Sequence, residues 1–228
     1  MHIAAIIQAR TSSQRLHGKM LMKIGQKTLL EQVITRVSQA RLLDTVIVAT
    51  SDEKSDDQLS ELCDSINIPC YRGSLENVAL RMTQAAEAYQ ISAFVRVNGD
   101  SPIIDYRLID RGLQLFKDHN PDLVSNVVQR SFPKGQSVEV VKVRAMRKIL
   151  ETTCDPQDLE HVTRFIYANR DMFRIYSFQN DQDLSAIQMS VDELQDFIRV
   201  KTIFGQLAPD ISFSLEEIEA IYRSNGWV

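Results

Sequence analysis

The residues most able to do chemistry stand together near the start of the chain: Arg10, Thr11, Ser12, Ser13, Arg15, Gly18 and Lys19. Guanidinium groups fork onto phosphate oxygens, an ammonium adds a point charge, and hydroxyls with the backbone around a glycine add neutral donors. No acidic residue occurs before Glu31, although the whole chain carries a net charge of −4. The stretch is therefore a local positive field in an acidic body, which suits a nucleotide better than a nucleic acid. It is not a P-loop, because the spacing Gly-x-x-x-x-Gly-Lys-Ser/Thr is absent, and Gly-x-Gly-x-x-Gly is absent too. A basic loop without further context is also ordinary solvated surface.

A second group of reactive residues follows an apolar run at 93–97 and reads Asn98-Gly99-Asp100-Ser101-Pro102. A tight turn there would aim the Asp100 carboxylate at whatever the first loop holds. A carboxylate facing bound phosphates suggests Mg²⁺, which takes one or two protein carboxylates and completes its shell with water and phosphate oxygens. Gly-Asp before Pro is equally an ordinary turn. Asp192, after the strand-like 187–191, is the candidate second carboxylate, and it also suits a helix N-cap. His161 falls on a predicted helix beside Glu160, where a lone histidine is ordinarily structural.

The elements that must position these groups alternate in type. The apolar run at 3–7 is predicted as a strand buried on both faces, a helix follows at 28–39, a strand at 45–50 and a helix at 55–66. Thr28 with Glu31 three residues on forms a capping box, and Leu29, Leu30, Val33, Ile34 and Val37 recur at helical spacing. A short strand at 70–71, a helix at 76–89 and the strand at 93–97 continue a βαβ rhythm, so the loops after strands 3–7 and 93–97 open on one ligand edge. Beyond a helix at 105–116 the pattern is less regular: 123–128 and 137–143 read as strands, the latter antiparallel. Helices at 144–153 and 158–168, strands at 173–178 and 186–191, and helices at 193–207 and 214–224 complete the chain, with Ser214 and Glu217 forming another capping box. The expected fold class is α/β, with a mixed sheet parallel in its N-terminal half and covered by helices.

At 228 residues without a Pro/Gly/Ser-rich linker or an internal repeat, one domain is expected over 1–228, with a small excursion at 130–143. The apolar start is too short for a membrane span and lacks the signals of a secretory peptide, so a cytoplasmic protein is expected. Cys63, Cys70 and Cys154 are odd in number and lack Cys-x-x-Cys spacing, which argues against a disulfide framework or a structural zinc site. The acidic balance, without a basic stripe interleaved with aromatics, speaks against DNA or RNA.

Gln8-Ala9-Arg10 through Ser13, Arg15 and Gly18-Lys19, together with Asn98-Gly99-Asp100-x-Pro102, resembles the cytidylyltransferases that activate acidic sugars, the CMP-Kdo and CMP-acylneuraminate synthetases. The likeness is closer to their spore coat polysaccharide biosynthesis F-like branch. It extends through Val48-Ala49-Thr50-Ser51-Asp52, Tyr71-Arg72-Gly73-Ser74, Ser125-Asn126, Phe132-Pro133-Lys134-Gly135, Val138-Glu139-Val140 and Glu160-His161-Val162-Thr163, over residues 1 to about 204. The resemblance implies a three-layer, Rossmann-like nucleotide-diphospho-sugar transferase fold. It also implies Mg²⁺-dependent transfer of CMP from CTP to a sugar or sugar-like acid, for a surface polysaccharide or glycan, and a homodimer.

By the same resemblance Arg10, Ser13, Arg15 and Lys19 match the triphosphate loop. Ala9, Ser51 and Asp52 fall where the family surrounds cytosine and ribose, and Arg81 and Asn98 belong to the nucleotide pocket. Asp100 and Asp192 match metal-binding carboxylates; Arg10, Lys19 and Asp100 would carry the chemistry. Arg130, Lys134, Glu139 and His161 are candidates for the acceptor side.

Three positions depart from the family pattern. His17 replaces a proline before Gly-Lys, which frees a backbone angle; Ser137 replaces an aspartate; Glu193-Leu194 replaces Thr-Pro. Two other readings remain. A nucleotide-sugar-dependent glycosyltransferase would offer an Asp-x-Asp motif where position 98 is Asn, and a nucleotide-binding subunit without catalysis would tolerate the departures.

Overall fold

The structure is a computed structural model that describes all residues, Met1–Val228. In chain order the strands and helices are β1 (Ile3–Gln8), β2 (Lys23–Ile24), β3 (Lys27–Thr28), α1 (Leu29–Val37), β4 (Thr45–Ser51), α2 (Asp57–Ser65), β5 (Cys70–Gly73), α3 (Val78–Ala88), β6 (Ala93–Asn98) and α4 (Tyr106–His119). They continue with β7 (Leu123–Ser125), β8 (Glu139–Lys142), α5 (Val143–Thr152), α6 (Pro156–Glu160), α7 (Arg164–Ala168), β9 (Ile175–Ser177), α8 (Leu194–Leu207) and α9 (Leu215–Ser224). No helix is long and apolar enough to cross a membrane.

Seven strands form one sheet in the order β5-β4-β1-β6-β8-β7-β9, and β2 and β3 make a separate hairpin. β1 pairs in parallel with both β4 and β6, while β8 runs antiparallel to both its neighbours. The strand order reverses at β1, so the crevice beyond its carboxyl end and that of β6 is the switch point at which open α/β sheets bind ligands. Alternation along β1 explains its uniform apolarity. Ile3, Ala5 and Ile7 join a core with α1, α2, α4, α8 and α9, whereas Ala4 and Ile6 join a second core under α3, α5 and α7. A strand covered on both faces needs apolar residues at every position.

Both expected capping boxes form, Thr28 with Glu31 and Ser214 with Glu217. Two elements differ from expectation. The helix expected over 158–168 is two short helices, α6 and α7, and His161 is the residue that ends α6 rather than one within a helix. The turn forms where Thr163 directs its hydroxyl to Glu139 Oε1 at 2.7 Å. Residues 186–191 are not a strand: Ile187, Met189 and Val191 are buried in the core, but the only ladder contact is an isolated bridge between Lys134 and Gln188. Core packing alone sets that alternation.

The connection from β7 to β8 is closed at its base by side chains. Asn126 Nδ2 donates to Gln136 O at 2.8 Å and Asn126 Oδ1 accepts the Val138 N–H at 2.8 Å. Gln136 in turn reaches the turn after β6, donating to Ile103 O and accepting from the Asp105 N–H, each at 2.8 Å.

Candidate active site

The loop leaving β1 is shaped by hydrogen bonds to its own backbone. The Thr11 carbonyl accepts the N–H groups of Ser13 (2.8 Å) and Gly18 (3.1 Å), which closes residues 11–18 into a ring. Gly18 sits at φ +66°, a left-handed conformation that glycine adopts without penalty, and begins a short 3-10 turn at Lys19–Leu21. That turn sends Lys19 inward, leaving it 6 % exposed.

β6 supplies the facing wall. A Cβ at Gly99 would lie 2.8 Å from Gln8 O, so only glycine lets the end of β6 approach β1 this closely. The next residue, Asp100, places Oδ2 3.1 Å from Lys19 Nζ. Asp192 arrives on the same ammonium from the other side, its Oδ1 3.7 Å from Lys19 Nζ and 2.8 Å from Arg15 Nη2. The Val191 N–H donates to Asp100 O at 2.8 Å and Lys19 Nζ donates to Val191 O at 2.6 Å, which ties the three segments together. Asp192 is not the cap of α8: Glu193 is, and the Asp192 N–H donates to Asp196 Oδ2. Its carboxylate is left to face the cleft.

The cleft itself, about 280 Å³, is lined by Gln8, Ala9, Arg10, Ser13, Arg15, Lys19, Arg81, Arg96, Asn98, Asp100, Glu160, His161 and Asp192 among others. Arg10 reaches across it to Glu160, Nη2 to Oε1 3.4 Å. Arg81 is 2 % exposed; Nη1 donates to the carbonyls of Ser74 and Leu75, while its buried Nε has no partner. Burial, with Arg10 acting in the same sense, lowers the Arg81 pKa, and Asp56 and Asp52 oppose the shift. The Asn98 Oδ1 at the cleft wall is likewise buried without a partner. An adjoining open cavity of about 580 Å³ runs between residues 74–77 and 156–160 and shares Arg10 and Glu160 with the cleft.

A third cavity, about 300 Å³, shares Arg96, Asn98 and His161 with the cleft and adds Val127, Arg130, Ser137, Glu139, Thr163, Arg164 and Tyr167. Glu139 is buried, and Arg96 Nη1 donates to its Oε2 at 2.6 Å while Thr163 and Tyr167 hydroxyls donate to Oε1. Burial alone would push the Glu139 carboxyl up, but Arg96 and the two hydroxyls hold it below its ordinary value. Arg96 also donates from Nε to Gln8 Oε1 at 3.1 Å, which links this cavity to the end of β1. Both Arg130 Nη atoms lie 3.3 Å from the Ser137 hydroxyl, and Arg130 makes no ion pair.

The structure thus brings Ala9, Arg10, Ser13, Arg15, Lys19, Arg81, Asn98, Asp100, Asp192 and His161 to one cleft, and Arg130, Glu139 and His161 to its neighbour. It does not bring Ser51, Asp52 or Lys134 to either. Ser51 is fully buried with its hydroxyl on Asp56 Oδ2 at 2.5 Å, Asp52 is exposed, and Lys134 is exposed beside Gln188. Sequence reasoning passed over Arg96, Tyr167 and Asp56. Arg96 lies in an apolar strand run and Tyr167 in a helix stretch, and neither carries a local signal of its function.

The family model described as cytidylyltransferase matches residues 4–226. The chain is 34% identical over 199 residues to the uncharacterized protein MJ1063 of Methanocaldococcus jannaschii, spanning 86% of this chain and 81% of that one. It is 31% identical over 221 residues to the spore coat polysaccharide biosynthesis protein SpsF of Bacillus subtilis, spanning 93% and 91%. Against a 3-deoxy-manno-octulosonate cytidylyltransferase of Solibacter usitatus it is 27% identical, spanning 98% and 95%. Among solved structures, a cytidylyltransferase from Leptospira borgpetersenii superposes with a TM-score of 0.95 at 26% identity, covering 100% of this chain and 96% of that one. A CMP:2-keto-3-deoxy-manno-octonic acid synthetase complexed with CTP superposes with a TM-score of 0.67 at 17% identity, covering 90% and 99%, a likeness of fold.

Proposed function

The chain belongs to the cytidylyltransferase family, and from that premise we propose that it transfers CMP from CTP to a hydroxyl of a sugar or sugar-like acid, releasing pyrophosphate, in the making of a surface polysaccharide or glycan. The observation that carries this reading is the meeting of Lys19 with Asp100 and Asp192 at the mouth of the loop, in a cleft that shares Arg96, Asn98 and His161 with a second cavity. One reaction needs two reactants side by side, and two adjoining cavities with a common wall supply them.

The triphosphate would lie along Arg10, Ser13, Arg15 and Lys19, with the base toward Arg81 and the 74–77 segment. The buried, unpartnered Arg81 Nε and Asn98 Oδ1 have donor and acceptor capacity left for the nucleoside. The acceptor would occupy the neighbouring cavity, where Arg130 offers a planar fork to a carboxylate and Glu139 holds Arg96 in place. Its hydroxyl oxygen attacks the α-phosphorus in line, the bond from that phosphorus to the α,β-bridging oxygen breaks with its electron pair leaving on pyrophosphate, and the hydroxyl proton passes to water. The cations of the loop hold the departing pyrophosphate charge. Positioning and charge stabilisation do most of such a reaction.

Asp100 and Asp192 offer two hard oxygen donors on either side of the Lys19 ammonium, at 3.1 and 3.7 Å, and no third His, Cys, Asp or Glu joins them in a metal-ligating group. That donor set fits Mg²⁺, which these two residues would hold. When bound, the ion neutralises charge on the phosphate oxygens.

The test is pyrophosphate release from CTP, UTP, ATP and GTP with Mg²⁺, against acidic sugars including Kdo and acylneuraminates. Release with CTP and one acceptor supports the reading. Release with another nucleotide, or hydrolysis alone across a broad acceptor panel, overturns it.

A further inference from the structure

Five carboxylates of the chain are buried, Asp56, Asp105, Glu139, Asp158 and Asp196, and four of them have a cationic partner. Asp56 has no cation within 4 Å, though it is fully buried; Arg81 acts on it only from farther off. Leaving a charge out of water without a counter-ion is costly unless hydrogen bonds replace the solvent. Here four do. Oδ1 accepts the Thr11 N–H at 2.7 Å and the Thr11 hydroxyl at 2.6 Å, and Oδ2 accepts the Ser51 N–H at 3.2 Å and the Ser51 hydroxyl at 2.5 Å. The Thr11 hydroxyl also lies 2.9 Å from Ser55 O. Burial would raise the Asp56 pKa, but the hydrogen bonds from Ser51 and Thr11 hold it below its ordinary value, so the group stays ionised at neutral pH.

The position makes the arrangement pointed. Asp56 stands at the N-cap of α2, where an aspartate ordinarily accepts an amide of its own helix, yet it makes no such bond. It is turned away from α2 and toward the loop. The residue it grips, Thr11, is the one whose carbonyl closes the ring from 11 to 18. Arg10 precedes Thr11, Ser13 and Arg15 lie inside the ring, and Lys19 follows it. Asp56 itself does not line the cleft.

We propose that Asp56 is a positioning residue for nucleotide binding: through Thr11 it fixes the loop in the form that presents Arg10, Ser13, Arg15 and Lys19 to the triphosphate. This rests on the reading that the cleft binds CTP. All four partners of Asp56 are donors, so an amide in its place turns an NH₂ against two of them. A carboxylate is the group the site requires.

The experiment is calorimetric titration of CTP with Mg²⁺ into the full-length protein and its variants, with thermal melts and, where turnover is measurable, kcat and KM for CTP. Asp56→Asn is expected to weaken CTP binding about tenfold or more, the loss of roughly one charge-assisted hydrogen bond or more. The rise should appear in KM for CTP, with kcat at saturating CTP changed only a few-fold. Thr11→Val should act in the same direction, and Thr11→Ser, which keeps the hydroxyl, should restore affinity. Ser214→Ala, which removes the cap of α9, should lower the melting temperature and leave CTP affinity unchanged. If Asp56→Asn does not fold, the pair Thr11→Val and Thr11→Ser decides. Unchanged affinity in folded Asp56→Asn or Thr11→Val would overturn this proposal alone. Equal loss in Ser214→Ala would reduce it to general stability and overturn it too. A wild-type protein that binds no CTP would overturn the nucleotide reading together with the proposal.

Discussion

Lys19 Nζ lies 3.1 Å from Asp100 Oδ2, although 81 residues separate the two in sequence. The contact exists because Gly18 turns Lys19 inward and Gly99 lets β6 close on the end of β1. A cation from the loop after β1 and a carboxylate from the end of the neighbouring strand β6 thus meet in contact.

Asp100→Asn keeps the shape of that point and removes its charge. Turnover should fall by about two orders of magnitude or more, the scale seen when one electrostatic group of an active site is lost. Thermal unfolding should move little, since Asp100 is only half-buried and the bond from the Val191 N–H to its carbonyl persists. A variant with near-normal turnover would remove Asp100 from the chemistry.

Gly99→Ala tests the closeness of β1 and β6. The added methyl would stand 2.8 Å from the Gln8 carbonyl oxygen and 3.2 Å from the Ala9 Cβ, so backbone must shift. Overpacking of this kind costs about 1–3 kcal/mol. Both a lower denaturant midpoint and reduced turnover are expected, because the shift carries Asp100 away from Lys19.

Glu139 makes stability depend on pH in a defined direction. Its ordinary value of 4.5 is lowered in the folded protein, where Arg96, Tyr167 and Thr163 outweigh burial. Its contribution is therefore complete above the unfolded value. As pH falls below about 4.5 the unfolded chain takes up the proton first, and stability declines until the folded value is passed. Glu139→Gln should flatten this part of a urea-midpoint profile between pH 6 and 3. At pH 7 it should cost about 3–5 kcal/mol, since it leaves Arg96 without its counter-charge.

Arg130→Ala should raise KM for the acceptor by about tenfold or more while leaving KM for CTP unchanged, because Arg130 lines the cavity around Glu139 and not the cleft at the loop after β1. Steady-state kinetics with each substrate varied in turn would separate the two. A rise in KM for CTP instead would place the acceptor elsewhere.

Much of this arrangement was legible in the residues. Thr28 and Ser214 announced their helices because a capping box is a local signal, complete within four residues. The loop after β1 and the turn after β6 could be placed at one edge because parallel strands expose their carboxyl ends together. The break at His161 was not legible, since the partner that Thr163 meets there, Glu139, lies 24 residues away in sequence. Residues 186–191 alternate as a strand does, but burial imposes that pattern on any extended segment with one apolar face. Asp56 was hidden among Asp52, Glu53 and Asp57, and only the start of α2 decides which of the four turns inward.

The reversed direction of β8 has a consequence for how such a protein can change its acceptor. β7 ends at Ser125 and β8 begins at Glu139, paired with each other at the ligand edge, so both ends of the intervening segment open on the cavity around Arg130 and Glu139. Asn126 and Gln136 close that segment at its base, and Gln136 ties it to the turn after β6 through Ile103 O and the Asp105 N–H. Within it Phe132 is buried in the core and the Lys134 backbone bonds to Ile187 and Met189, just before Asp192, whereas residues 127–130 are at least partly exposed and place Val127 and Arg130 on the cavity. On the proposed reading, replacing residues 127–130 would alter the acceptor side while leaving the loop after β1 untouched.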